Sequence, residues 1–248
     1  MSEIVIQVEN VSKSYGGVLA NKDISLVVKK GGITGLIGPN GSGKTTLFNS
    51  IVGYHPIDGG SIKFQGKEIS KLRVPQIARL GLLRTFQQTR IYDKLNCVDN
   101  MMISVSQRTI GYKDMFAPRK GEHAERSEHL LEFVGLLEKR YLRAGDLSFG
   151  QQKLLEFAMA LMNEPEVLLL DEPTAGINPT LINGLIDRLK RANSEFGITL
   201  MVIEHNMRVI MNMAEKIYCL AHGEMLADGT PDEIQNDQRV IDAYLGAH

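Results

Sequence analysis

Residues 38–45 read Gly-Pro-Asn-Gly-Ser-Gly-Lys-Thr, and this octapeptide limits the possible folds more than any other stretch of the chain. It meets every fixed position of G-x-x-x-x-G-K-[ST], between the apolar run 33–37 and the helix-spaced run 45–52. Glycines allow a backbone to wrap closely around an anion and to present successive N–H groups to it. The helix that follows aims the positive end of its dipole at the same point. Gly38, Pro39, Asn40, Gly41, Ser42 and Gly43 are therefore expected to cradle phosphate oxygens. Lys44 should reach the β- and γ-phosphates, and the hydroxyl of Thr45, with Thr46 beside it, suits Mg²⁺. A loop of this kind joins a buried strand to a helix, so it asks for an α/β fold. Alone it says only that phosphate is bound, since kinases and GTPases share it.

The remaining pattern agrees with such a fold. Ile4, Ile6 and Val8 alternate, residues 24–28 form a second strand-like run, and Asp58-Gly59-Gly60 is a turn before the alternating 61–64. Between about 99 and 146 helical stretches take over, with Leu130, Leu131, Val134 and Leu137 on one side of 125–137 and a polar loop at 111–121. After Gly150 come a helix at 151–162, a buried strand at 167–170, a helix at 181–193 and a strand at 199–203. Alternation of this kind indicates a mainly parallel sheet with helices on its faces. The expected organisation is one domain over 1–248. Within it, 1–88 holds the phosphate loop and the N-terminal strands, 89–150 is a helical subdomain, and 151–248 is the rest of the core and a C-terminal tail.

Just past the 167–170 run stand Asp171 and Glu172. Ligands of parallel α/β sheets bind outside the carboxyl ends of the strands, so both carboxylates should face the phosphates. Asp171 would hold Mg²⁺, largely through water, and Glu172 would polarise the attacking water. Composition narrows the partners. Lys plus Arg number 28 against 29 Asp plus Glu, a net charge of -1, so no nucleic-acid partner is expected. Cys97 and Cys219 lie far apart without a CxxC pattern and read as buried apolar fillers. No run approaches the roughly 18 apolar residues of a membrane span, and the N-terminus lacks the basic and apolar regions of a secretory signal. A cytoplasmic chain is expected, reaching a membrane only through a partner.

Between the phosphate loop and the carboxylates stands Leu147-Ser148-Phe149-Gly150-Gln151-Gln152, which resembles the LSGGQ signature of ABC (ATP-binding cassette) ATPases. The order is also that of the family: Tyr15, the loop, Gln87, the signature, Asp171-Glu172, then His205. The resemblance covers essentially the whole chain. It implies a P-loop NTPase (RecA-like) core with an N-terminal antiparallel β subdomain and an inserted α-helical subdomain. It also implies ATP and Mg²⁺ as ligands. Tyr15 resembles the aromatic that stacks on adenine. Gln87, in Arg84-Thr85-Phe86-Gln87, resembles the glutamine that meets Mg²⁺ and the attacking water and hinges the helical subdomain. Gln88 is adjacent. His205 resembles the switch histidine on the γ-phosphate. Ser148, Gly150 and Gln151 would touch the nucleotide of an opposite protomer, which implies a homodimer or a heterodimer with a related ATPase. Phe149 stands where many members have glycine, and Asn178 where aspartate is usual.

Four strings look like one subgroup, the branched-chain amino acid uptake ATPases. They are Arg84-Thr85-Phe86-Gln87, the signature, Ala175-Gly176-Ile177-Asn178-Pro179 and Val202-Ile203-Glu204-His205-Asn206-Met207. The end, Ala243-Tyr244-Leu245-Gly246, is similar too. Lipopolysaccharide-export and urea-uptake ATPases share much of this wording. The resemblance implies membrane permease subunits as partners, docked in a groove including 89–100, and indirectly a solute-binding protein. The chain would then lie peripherally on the inner face of the cell membrane. A non-transport ABC ATPase is a more distant alternative, since such proteins usually carry tandem cassettes, zinc-binding cysteines or long coiled coils. A P-loop kinase would need a phosphate acceptor. The Met207, Met211 and Met213 group reads as helix-core packing.

Overall fold

The structure is a computed structural model, and it describes residues 3–85, 91–105 and 120–245. Two long strands, β1 (Ile4–Tyr15) and β2 (Val18–Lys29), form an antiparallel hairpin. Ile24, Leu26 and Val28 are buried and alternate with more exposed neighbours, the mark of a strand with one covered face. In β1 the alternation is imperfect: Ile6 and Val8 are buried, but Ile4 at the strand end is 44 % exposed. The short strand β3 (Ile33–Ile37) leads into the phosphate loop and then α1 (Lys44–Ile51). Next come β4 (Gly59–Phe64), β5 (Lys67–Glu68), α2 (Val74–Leu80) and β6 (Leu82–Arg84). Helices α3 (Cys97–Ser104), α4 (Lys120–Phe133) and α5 (Phe149–Leu161) follow. The chain continues through β7 (Val167–Asp171), α6 (Pro179–Phe196), β8 (Thr199–Ile203) and α7 (Met207–Met213). It ends with β9 (Lys216–Ala221), β10 (Glu224–Gly229), α8 (Pro231–Gln235) and α9 (Gln238–Leu245).

The strands make two sheets. The smaller, antiparallel one has the order β2-β1-β4-β5. The larger has the order β10-β9-β3-β8-β7-β6, parallel throughout except for β10 at its edge. Every residue of β3, β7 and β8 is buried, as expected of parallel strands covered on both faces. Leu47, Phe48 and Ile51 on α1 join one buried cluster with Leu36, Leu169 and Ile203 of the large sheet and Ile6, Ile24 and Phe64 of the small one. The helix behind the phosphate loop is thus wedged between two sheets. This is the P-loop core with an antiparallel β part that the motifs implied.

Contacts divide the chain into two compact units. The first takes in 1–84, 166–173 and 190–248; the second takes in 85–165 and 174–189. The second is wider than the 89–150 segment, because α5 packs on α3 and α4. Cys97 and Cys219 are both buried and free, and burial pushes the Cys219 thiol up to about 11. In α7 Met213 is buried while Met207 and Met211 are half-buried. Among the described residues no helix is long and apolar enough to cross a membrane.

Candidate active site

Strand order decides which loops meet. In the large sheet β8 lies between β3 and β7, and Ile203 is the register partner of both Leu36 and Asp171. The three strands therefore end level, and their following loops open on one edge. Those loops carry the phosphate loop, Asp171-Glu172 and Glu204-His205.

The phosphate loop is held by its own unit. Gly38, Gly41 and Gly43 all have positive φ, at 146°, 77° and 99°. Gly43 caps α1 in the left-handed region, and a Cβ there would lie 2.4 Å from the Ala20 carbonyl oxygen. Asn21 reinforces the contact, its Nδ2 donating to the Gly43 carbonyl at 3.1 Å. Lys44 is buried, and its Nζ donates to the carbonyls of Gly38 (2.8 Å) and Pro39 (2.9 Å) and to Ser42 Oγ (3.4 Å). Burial pushes the Lys44 ammonium below its ordinary value, while the charges of Glu172 and Asp171 oppose that shift. Pro39 is half-buried, and Asn40, Gly41 and Thr45 are exposed, with Thr46 half-buried behind them.

Asp171, at the end of β7, pairs with a partner that sequence reasoning gave no role. Arg84, at the end of the adjacent β6, donates through Nη2 to Asp171 Oδ2 at 2.5 Å, and also through Nη1 to Asn49 Oδ1 on α1. The two charged side chains are only 6 % and 1 % exposed. The available signal was an arginine closing a strand whose other residues are leucines. Among the described residues Asp171 Oδ1 is buried without a hydrogen-bond partner. That oxygen, with the exposed Thr45 hydroxyl, suits a magnesium ion held through water and phosphates. Among the described residues no group of three or more His, Cys, Asp or Glu could hold a metal ion.

Glu172 adopts φ 51°, a left-handed conformation uncommon outside glycine, and its N–H donates to Ile203 O at 2.9 Å. His205 Nε2 lies 2.8 Å from Glu172 Oε1. The structure thus brings together Lys44, Asp171, Glu172 and His205. Tyr15, in the same unit, is 47 % exposed and meets His55 edge-on, ring centroids 5.5 Å apart. Gln87 and Gln88 lie outside the described residues.

The signature lies in the other unit. Ser148 caps α5 by a capping box: its Oγ accepts from Gln151 N–H at 3.4 Å, and its own N–H donates to Gln151 Oε1 at 3.1 Å. Gln152 Nε2 ties back to the carbonyls of Ala144 and Leu147. Phe149 is 47 % exposed, and a Cβ on Gly176 would come within 2.8 Å of its ring. Ser148, Gly150 and Gln151 line a cavity of about 270 Å³ with Leu154, Ile177 and Leu181. Asn178 acts locally, since its Oδ1 accepts from Thr180 N–H (3.1 Å) and Thr180 Oγ1 (2.9 Å) at the start of α6.

A phosphate loop, a strand-end carboxylate pair and a separate signature-bearing helical unit define a nucleotide-hydrolysing cassette, and comparison with known proteins agrees. The family described as ABC transporter matches residues 21–175, and that described as branched-chain amino acid ATP-binding cassette transporter matches residues 224–248. The high-affinity branched-chain amino acid transport ATP-binding protein LivG of Salmonella typhimurium is 36 % identical over 253 residues, covering 99 % of both chains. A crystal structure of an ABC transporter's ATP-binding cassette in its ADP conformation superposes with a TM-score of 0.88 at 31 % identity, covering 98 % of this chain and 99 % of that one. A dimeric cassette in a post-hydrolysis state, bound to ADP and Pi, gives 0.80 at 26 % identity, covering 91 % and 98 %. The chain belongs to the ABC transporter family as an ATP-binding cassette ATPase, and it resembles the branched-chain amino acid group within that family.

Proposed function

We propose that this chain is the ATP-hydrolysing subunit that energises membrane uptake of branched-chain, hydrophobic amino acids. The observation that carries the hydrolytic part is the Glu172–His205 contact on the sheet edge that also bears the phosphate loop. The substrate rests on full-length similarity to LivG and on the match of the C-terminal residues 224–248. Lys44 and the loop amides of residues 38–46 would hold the phosphates, and Tyr15 would stack on adenine. Glu172 would take the proton of the attacking water, with His205 fixing the carboxylate and reaching toward the γ-phosphate. Thr45, Asp171 and Gln87 would hold Mg²⁺, which when bound supplies positive charge to the phosphate oxygens.

Ser148, Gly150 and Gln151 of a second cassette would close over the same nucleotide, so that two chains head to tail make two complete sites. The dimeric relative with ADP and Pi supports that arrangement. The helical segment, expected over 89–150, would turn about Gln87 as the pair closes. A groove including 89–100 would pass that movement to permease subunits on the cytoplasmic face of the membrane. Most of the rate would come from positioning and charge stabilisation, since phosphoryl transfer asks for little covalent chemistry from the protein. Purification with the cognate permease, reconstitution in proteoliposomes and assay of labelled solutes tests the reading. ATP-driven accumulation of leucine is the expected result. Transport of urea, or extraction of lipopolysaccharide without leucine uptake, would assign the chain to a neighbouring group.

A further inference from the structure

The C-terminal helix α9 is tied to the phosphate loop by one hydrogen bond. Gly38, the first loop residue, donates its N–H to Tyr244 Oη at 2.8 Å. The Gly38 peptide is closely confined: its φ is 146°, and a Cβ there would sit 2.1 Å from the Leu220 carbonyl oxygen on β9. Tyr244 is anchored in turn, because α9 packs on β10 and α8 and its Val240 is buried. Burial pushes the Tyr244 phenol up to about 12, so the hydroxyl stays neutral at any working pH. Beside this contact, residues of α9 (Asp242 and Ala243) line a cavity of about 370 Å³ with loop residues 39–42. A helix face therefore lies along the outer side of the loop.

We infer that Tyr244 is a positioning residue for nucleotide binding, whose hydroxyl holds the Gly38 amide and so pre-sets the curvature of the 38–45 loop. Tyr244 need not touch the nucleotide. It acts by sparing the loop a rearrangement when phosphate arrives, and a site organised beforehand binds more tightly than one that must be ordered. A contact that stays the same between bound nucleotide and transition state bears on affinity and not on turnover, and that is the behaviour expected of this one. This inference rests on the reading that residues 38–45 take the nucleotide.

The test uses the full-length protein and Tyr244→Phe, which removes only the hydroxyl. Loss of one neutral hydrogen bond should raise the ADP dissociation constant, by titration calorimetry, and the KM for ATP by about fivefold, leaving kcat unchanged. The Gly38 amide resonance, followed with ¹⁵N-glycine labelling, should move, and the urea midpoint should fall only slightly, as the loss of one neutral hydrogen bond requires. Gln238→Ala, on the exposed side of the same helix, should leave both affinity and resonance as they were. An unchanged dissociation constant and KM in Tyr244→Phe would overturn the inference, as would a stationary Gly38 resonance. Equal losses in Gln238→Ala would also overturn it, by making the effect one of helix packing. If the unmutated protein fails to bind ADP, it is the nucleotide reading itself that fails.

Discussion

Gly43 and Gly150 sit in two motifs that read alike, each a glycine within two residues of a serine at the start of a helix. Their surroundings are opposite. At Gly43 the backbone is left-handed and a Cβ would meet the Ala20 carbonyl oxygen at 2.4 Å, so the chain's own fold demands glycine. At Gly150 a Cβ would find Leu181 at 3.4 Å and Ile177 at 3.7 Å, ordinary contacts, and the backbone is not left-handed. Among the described residues nothing forbids a side chain there. One motif is completed by the fold that carries it. The other makes sense as a surface that something else must approach closely, which is the part proposed for it against a second cassette's nucleotide.

That contrast can be tested from several sides. The largest effect should come from Glu172→Gln, with ATP turnover falling about 10²- to 10⁴-fold while ATP is still bound. Size-exclusion chromatography should then show an ATP-dependent dimer. A monomer under those conditions would leave the signature without the partner that explains its glycine. Next is Arg84→Met, which strands the nearly fully buried Asp171 carboxylate without its cation. Breaking such a pair should cost about 3–5 kcal/mol of stability, read by urea unfolding. Ser148→Ala, which removes only the exposed cap of α5, should cost less, about 1 kcal/mol.

Gly43→Ala should cost about 1–3 kcal/mol from the left-handed backbone alone and weaken nucleotide binding with it. Gly150→Ala, at a half-buried helical position with room for the methyl, should change stability by no more than about 1 kcal/mol. It should nonetheless lower ATPase activity and weaken the dimer trapped by Glu172→Gln. If Gly150→Ala unfolds as easily as Gly43→Ala, or hydrolyses ATP at the unmutated rate, the distinction between the two glycines disappears.

The difference also shows what a linear reading can reach. The phosphate loop was legible because its chemistry lies in eight consecutive residues whose spacing admits few other uses. Strands β7 and β8 were legible because unbroken runs of four apolar residues mark strands covered on both faces, and β3 because its mostly apolar residues lead straight into the phosphate loop. Strand β1 was only partly so: its run extends to Tyr15, through polar residues that a hairpin partner holds in place. The extent of the second compact unit was not legible, since it depends on α5 packing against α3 and α4 across intervening loops.

By itself, then, the sequence determined the α/β class and the order of the motifs, because each is written in local spacing and hydrophobic period, and it pointed to the family through the resemblance of those motifs to known ones. Tertiary structure alone decided that β8 separates β3 from β7, which sets His205 against Glu172 from 33 residues away. It alone joined Arg84 to Asp171 across 87 residues and Tyr244 to Gly38 across 206. Such pairs leave no periodic trace in the chain. They arise only when strand register and the packing of α9 bring distant charges and hydroxyls within hydrogen-bonding distance.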